Sequence, residues 1–260
     1  MMPLLLAALL AAAERPALDP VLDKPYHLAL DDERADASGV RHFHLDRTVT
    51  FSRDTDALVA AVTLVAFTTD AQGEIGRRFL TGAGALRGRT VRFHLARDGS
   101  IRSIDEEAAI WSAIVGGVAA LGNSASPRVE GIGRRPADPL IALPPDKARA
   151  AIASMVSPMI AAATPTPGSR AVTLPARGIF PPDAARLVGT ETVTRSADGT
   201  LRSTTHAASS DGNAQVTIDR TRVVDPIHGL VLAIDDRQAT TLAGTTQRIR
   251  SQLHVTLPVS

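Results

Sequence analysis

The only two long apolar patterns with helical spacing in this chain lie in one central stretch, Ser103 to Ala163, and strand-like sequence lies on both sides of it. Ile110, Ile114, Val118 and Leu121 recur at helical spacing with Trp111 and Val115 beside them, and Ala148, Ile152, Met155 and Met159 form a second stripe. Two helices between two β-rich halves predict an α+β fold. In it a large, curved, half-barrel-like antiparallel sheet carries a central two-helix segment on one face. The expected organisation is a single α+β domain over residues 14–260. It has N-terminal strands at 26–104, a helical hairpin at 103–163 with a loop at 123–144, and C-terminal strands at 170–257.

Local signals set the expected helix ends. Ser103 with Glu106 matches a capping box, Asp105 is a second candidate cap, and Asp105, Glu106 and Glu107 suit the positive end of a helix dipole. Gly116-Gly117 marks a bend or a close backbone approach, and Gly122 a C-terminal cap. Pro145 is permitted in a first turn, whereas Pro158 should kink the second helix or end it near Ser157.

The clearest strand is Val40 to Ser52. Phe43, Leu45, Val49 and Phe51 share one parity, which also holds Arg41 and Arg47; His42, His44, Asp46, Thr48 and Thr50 take the other. A short strand at Tyr26–Leu30 precedes an acidic loop, Asp31 to Asp36. Ala57–Thr68 is apolar almost throughout, which suggests burial on both faces. Gly73–Leu86 reads ambiguously, as a short helix weakened by Gly82 and Gly84. Val91, Phe93 and Leu95 point inward before an Asp98-Gly99 hairpin, and a similar hairpin surrounds Asp198-Gly199, so that DGSIRS echoes DGTLRS one hundred residues later. Strands at Gln215–Val224 and Leu230–Asp235 flank Asp225–Gly229, and the last strand sets Ile249, Leu253, Val255 and Leu257 inward.

Composition narrows the function classes. Lys+Arg 28 against Asp+Glu 27 leaves a net charge of +1 with no basic cluster, which argues against nucleic-acid binding. Pro3 to Ala13 is an uncharged apolar run, shorter than the ~20 residues of a spanning helix, with Ala11 and Ala13 forming an A-x-A site. Residues 1–13 therefore read as a signal peptide cleaved near Ala13, leaving a soluble periplasmic or secreted protein. The absence of Cys excludes disulfides, thiol chemistry and lipoprotein acylation. Abundant Ala and an excess of Arg over Lys are the usage of a bacterium with GC-rich DNA.

Catalytic signals are sparse. Gly122-Asn123-Ser124-Ala125-Ser126 lacks the last glycine and the strand–turn–helix setting of a nucleophile elbow. His42, His44 and Asp46 alternate along one strand face and could converge on a metal, with His94 and His254 as third ligands if their strands are neighbours. A solvated strand face accounts for the same residues. No catalytic residue, cofactor or nucleic-acid partner is assigned.

At the level of overall shape, the expected sheet with its helical cover resembles the periplasmic lipoprotein-carrier (LolA-like) half-barrels. The resemblance implies a non-enzymatic carrier holding acyl chains between sheet and helices, and it transfers no individual residue. Small residues Ala108, Ala113, Gly116 and Gly117, with the adaptable Met155 and Met159, suit such a lid. The ligand cavity would then be lined by Trp111, Ile114, Val115, Val118, Ile152, Met155 and Met159. Those side chains could equally pack as a solid core. The alternatives are an exported metal-dependent hydrolase using His42, His44 and Asp46, or a structural protein with no ligand.

Overall fold

The structure is a computed structural model that describes residues 18–55, 57–124, 138–161, 164–175, 186–211 and 214–258. The expected signal peptide, most of the 123–144 loop and the end of the elbow-like segment lie outside the described residues. Eleven strands form one open antiparallel sheet in the order β5-β4-β3-β2-β1-β11-β10-β9-β8-β7-β6. The strands are β1 (Pro25–Asp36), β2 (Gly39–Asp54), β3 (Ala57–Thr69), β4 (Thr90–Leu95), β5 (Ile101–Ile104), β6 (Gly168–Pro175), β7 (Arg186–Arg195), β8 (Leu201–Asp211), β9 (Ala214–Asp225), β10 (Leu230–Leu242) and β11 (Thr245–Thr256). The helices are α1 (Gly73–Gly84), α2 (Glu107–Ser124), α3 (Asp138–Ile141) and α4 (Pro145–Ala153), followed by a 3₁₀ turn at Ser157–Met159. The expected α+β class with a large antiparallel sheet is what the chain forms, and the first and last strands close its centre as Leu28 pairs with Val255 and Leu30 with Leu253.

The sheet is strongly curved. The backbone N–H of Leu18 donates to the carbonyl of Arg97 at the β4–β5 tip (2.8 Å), and that of Asp19 to the carbonyl of His228 at the β9–β10 tip (3.2 Å). A flat sheet would hold β4 and β10 about 24 Å apart, yet two adjacent residues bridge their ends. Bulges help to bend it: Val65 is the extra residue of β3 opposite Asp46 and Arg47, and Leu232 that of β10 opposite Val223 and Val224. The Asp98 and Asp198 hairpins fold alike. Each carboxylate accepts a backbone N–H two residues on, from Ser100 and from Thr200 at 3.0 Å, and each following glycine has positive φ.

Several boundaries differ from the sequence reading, for tertiary reasons. Ser103 caps no helix; it pairs with His94 inside the sheet. Glu106 turns the chain at φ +52°, a left-handed conformation incompatible with a first helical turn, so α2 opens at Glu107. Helix α2 continues past Gly122 to Ser124. The chain leaves α4 at Ala153, before Pro158, which sits in the 3₁₀ turn. Asp31–Asp36 is not a loop but the second half of β1, because its charges find cross-strand partners: Asp32 accepts from the Ser251 hydroxyl at 2.5 Å and Asp31 meets His44 at 2.6 Å. Val65 is 53% exposed, so β3 is not covered on both faces along its length, and Leu257 lies beyond β11 and is exposed.

Helix α1 forms despite its glycines because it packs against α2 and β3. A Cβ would meet only ordinary contacts at Gly82 and Gly84, 3.7 Å from Val118 and from Phe67, so neither glycine is required for that packing. Gly117 lets α2 approach α1 closely, with its Cβ position 3.1 Å from the Thr81 carbonyl oxygen. The main partner of α2 is thus α1, and α4 joins it through the Arg149–Glu107 ion pair at 3.2 Å. The main core lies beneath these helices: Tyr26, Val49, Phe51, Phe93, Ile110, Ile152 and Met159 belong to one buried cluster.

Candidate functional site

A cavity of about 770 Å³ lies between the inner face of the sheet and the helices. Its apolar wall comes from Leu45, Leu64, Phe79, Leu86, Ile114 and Val118. The helical half of that wall follows from the α2 stripe: Ile114 and Val118 are one turn apart, so both point to the same side. The sheet also contributes Arg47, Asp32, Ser251, Asp236 and Arg222, interspersed with Leu30, Leu253 and Ile234 on the same strands. The volume falls within the roughly 300–1,000 Å³ of small-molecule sites, whose walls are mostly apolar with a few placed polar groups.

The polar side is built by strand register. Asp32 lies opposite Ser251, which lies opposite Asp236, which lies opposite Arg220, so four neighbouring strands set these side chains in one row. Arg220 donates through Nε (3.0 Å) and Nη2 (2.5 Å) to Oδ2 of Asp236. Arg47 is buried at 4% exposure, and its Nη1 donates to the carbonyl oxygens of Ser154 (3.1 Å) and Met155 (2.7 Å) just beyond α4. Desolvation pulls the Arg47 guanidinium below its ordinary pKa, and the nearby Asp32 charge opposes that shift.

Of the sequence-predicted cavity residues, Ile114, Val118 and Met155 stand on the wall. Ile152 and Met159 are fully buried in the core, Trp111 is partly buried against it, and Val115 is partly buried without lining the cavity. The polar residues are the part that the apolar pattern leaves out. Arg47 alone had a sequence signal, a charge at the apolar parity of β2.

On the outer face, His42, His44 and Asp46 project together, but carboxylates engage both rings. His42 Nδ1 meets Asp70 at 2.6 Å, while His44 meets Asp31 at 2.6 Å through Nδ1 and Asp46 at 3.0 Å through Nε2. Hydrogen bonding to Asp70 raises the pKa of His42, and bonds to Asp31 and then Asp46 raise that of His44. The strands of the other two histidines are not neighbours of β2: β3 separates it from β4, and β1 from β11. His94 is level with Ser52, about 26 Å along β2 from His44, and bonds to Asp105 at 2.9 Å. Among the described residues no group of three His, Asp or Glu side chains is placed to hold a metal ion. His228, in the turn between β9 and β10, is also engaged by a carboxylate: its Nδ1 meets the buried Asp225 at 2.6 Å.

No family model matches the chain, and no curated protein matches it in sequence. Among solved structures the chain is similar to one described as "Lipid-protein interactions in lipovitellin". The TM-score is 0.43 with 8% identity, over 92% of this chain and 26% of that one, so this chain spans about a quarter of its length. No helix among the described residues is long and apolar enough to cross a membrane.

Proposed function

We propose that the protein is an exported, soluble, non-enzymatic carrier that holds an apolar ligand, such as a lipid acyl chain, between sheet and helices. The observation that carries this reading is the cavity of about 770 Å³ with a mostly apolar lining. Burying each methylene there would contribute about 0.8 kcal/mol, so a chain of ten or so carbons offsets the cost of association without any covalent chemistry. Periplasmic or secreted location rests on the apolar run Pro3–Ala13 and its A-x-A site.

The test is native mass spectrometry of protein purified without detergent or denaturant. It is paired with titration of a fluorescent fatty acid, read through the single tryptophan, Trp111, on the helix that lines the cavity. The expected result is a retained lipid mass, or saturable quenching at one site. A bare polypeptide mass together with no quenching would sink the reading. Cell fractionation with N-terminal sequencing tests export, with cleavage expected after Ala13.

A further inference from the structure

We propose that the carried molecule is a single-chain amphiphile with an ionised carboxylate, and that Arg47 receives that carboxylate; this rests on the carrier reading and specifies its ligand. Arg47 sits on the cavity wall at a position that the alternation of β2 otherwise gives to Leu45, Val49 and Phe51. It is buried, yet no carboxylate among the described residues stands within ion-pair distance of it. Other cations of this region have anionic partners: Arg78 pairs with Glu74 one turn earlier on α1, and Arg220 with Asp236. The acceptors of Arg47 are two neutral carbonyls, and both bond to Nη1.

The Nε of Arg47 is buried and donates to no group among the described residues, as is also the case for Arg78 on the same cavity. Asp32 acts on Arg47 through its charge without touching it, and burying a guanidinium with no contacting counter-ion is unfavourable. The two carbonyls engage Nη1 alone, and a small rotation of the Arg47 side chain toward the cavity would present Nε and Nη2 side-on, the geometry in which arginine grips a carboxylate. A monoanion fits better than a dianion because Asp32 and Asp236 share the same walls and would repel a doubly charged head. With the head at Arg47, the chain runs along Leu64, Leu86, Ile114 and Val118.

The experiment compares dodecanoate, dodecan-1-ol and dodecyl phosphate by calorimetric titration of the full-length protein at neutral pH. Dodecanoate is expected to bind about tenfold more tightly than the alcohol, the discrimination of one charge-assisted pair, and more tightly than the phosphate. In Arg47→Met the acid-to-alcohol ratio should fall near one while the alcohol still binds. Arg47→Lys keeps the charge and should retain part of the preference, which reads the same point if the Met variant does not fold. Equal affinity of acid and alcohol in the wild type, a preference that survives in Arg47→Met, or tighter binding of the phosphate would overturn the inference while leaving the carrier reading in place. Failure of all three amphiphiles to bind would instead remove the carrier reading.

Discussion

The two halves of the sheet bury their inner faces with different chemistry. Under the helices, β1–β4 present Tyr26, Val49, Phe51, Val62 and Phe93, all essentially inaccessible to solvent, with Tyr26 and Phe51 stacked edge to face at 5.4 Å. On β7–β10 two small apolar clusters, one around Leu201 and Val224, the other around Leu187 and Ile218, flank a buried polar band of Ser203, Thr205, Asp236 and Gln238, with the partly buried Arg220 paired to Asp236. The first half resembles an ordinary core; the second accepts desolvated polar groups because strand register supplies their partners. The cavity lies at the junction, with Leu64 and Leu45 contributed by one half and Asp236 and Arg222 by the other. The contrast makes the site amphipathic.

The largest expected effect breaks the apolar half. Phe51→Ala should destabilise the fold by about 4 kcal/mol, measured by urea denaturation. A loss below about 1 kcal/mol would mean that the core beneath the helices is not packed as described.

The polar half should respond differently. Asp236→Ala, by leaving Arg220 buried without its anion, should cost about 3 kcal/mol, whereas Arg220→Met with Asp236→Leu should recover most of that loss. A double variant that costs as much as Arg220→Met and Asp236→Leu added together would show that the two residues act independently and would blur the distinction between the halves.

The smallest effect lies on the outer face. Asp235 is lowered to about 2, chiefly by its hydrogen bond from Arg250, with Arg237 adding to it against a partial desolvation. Its folded pKa lies below the unfolded value of 3.8, so its contribution is complete above that value and is lost as pH falls toward 2. For such a largely solvated pair the contribution is under about 1 kcal/mol. Acid titration of Asp235→Asn beside the wild type should show a shallower loss of stability in that window; superimposable curves would remove the assignment.

Much of the fold was legible because it follows local periodicity. Alternation along Val40–Ser52 and Thr90–Ala96, and the turn chemistry of Asp98-Gly99 and Asp198-Gly199, depend on near neighbours and reappear as β2, β4 and two like hairpins. Helix α1 was obscured because its glycines lower intrinsic propensity, while what stabilises it is packing on α2 and β3, with Phe79 against Phe43 and Phe67, all distant in sequence. The Ser103–Glu106 pair matched a cap in spacing, but pairing with His94 draws Ser103 into the sheet. Of the candidate site, the helical stripe announced Ile114, Val118 and Met155, and the misplaced charge of Arg47 could be seen at its parity. The row from Asp32 to Arg220 could not, because no periodicity within one strand says which strand lies beside it.

By itself, then, the sequence determined most of the element types, the α+β class and the alternation that gives strands such as β2 and β4 an inner and an outer face, since these are set within a few residues by backbone geometry and side-chain parity. Only the tertiary structure decided the strand order with β1 beside β11, the curvature that brings the Arg97 and His228 turns together, and the meeting of apolar and charged walls around one cavity. Those features come from pairings across long stretches of chain, where register and burial compete and local pattern carries no information about the winner.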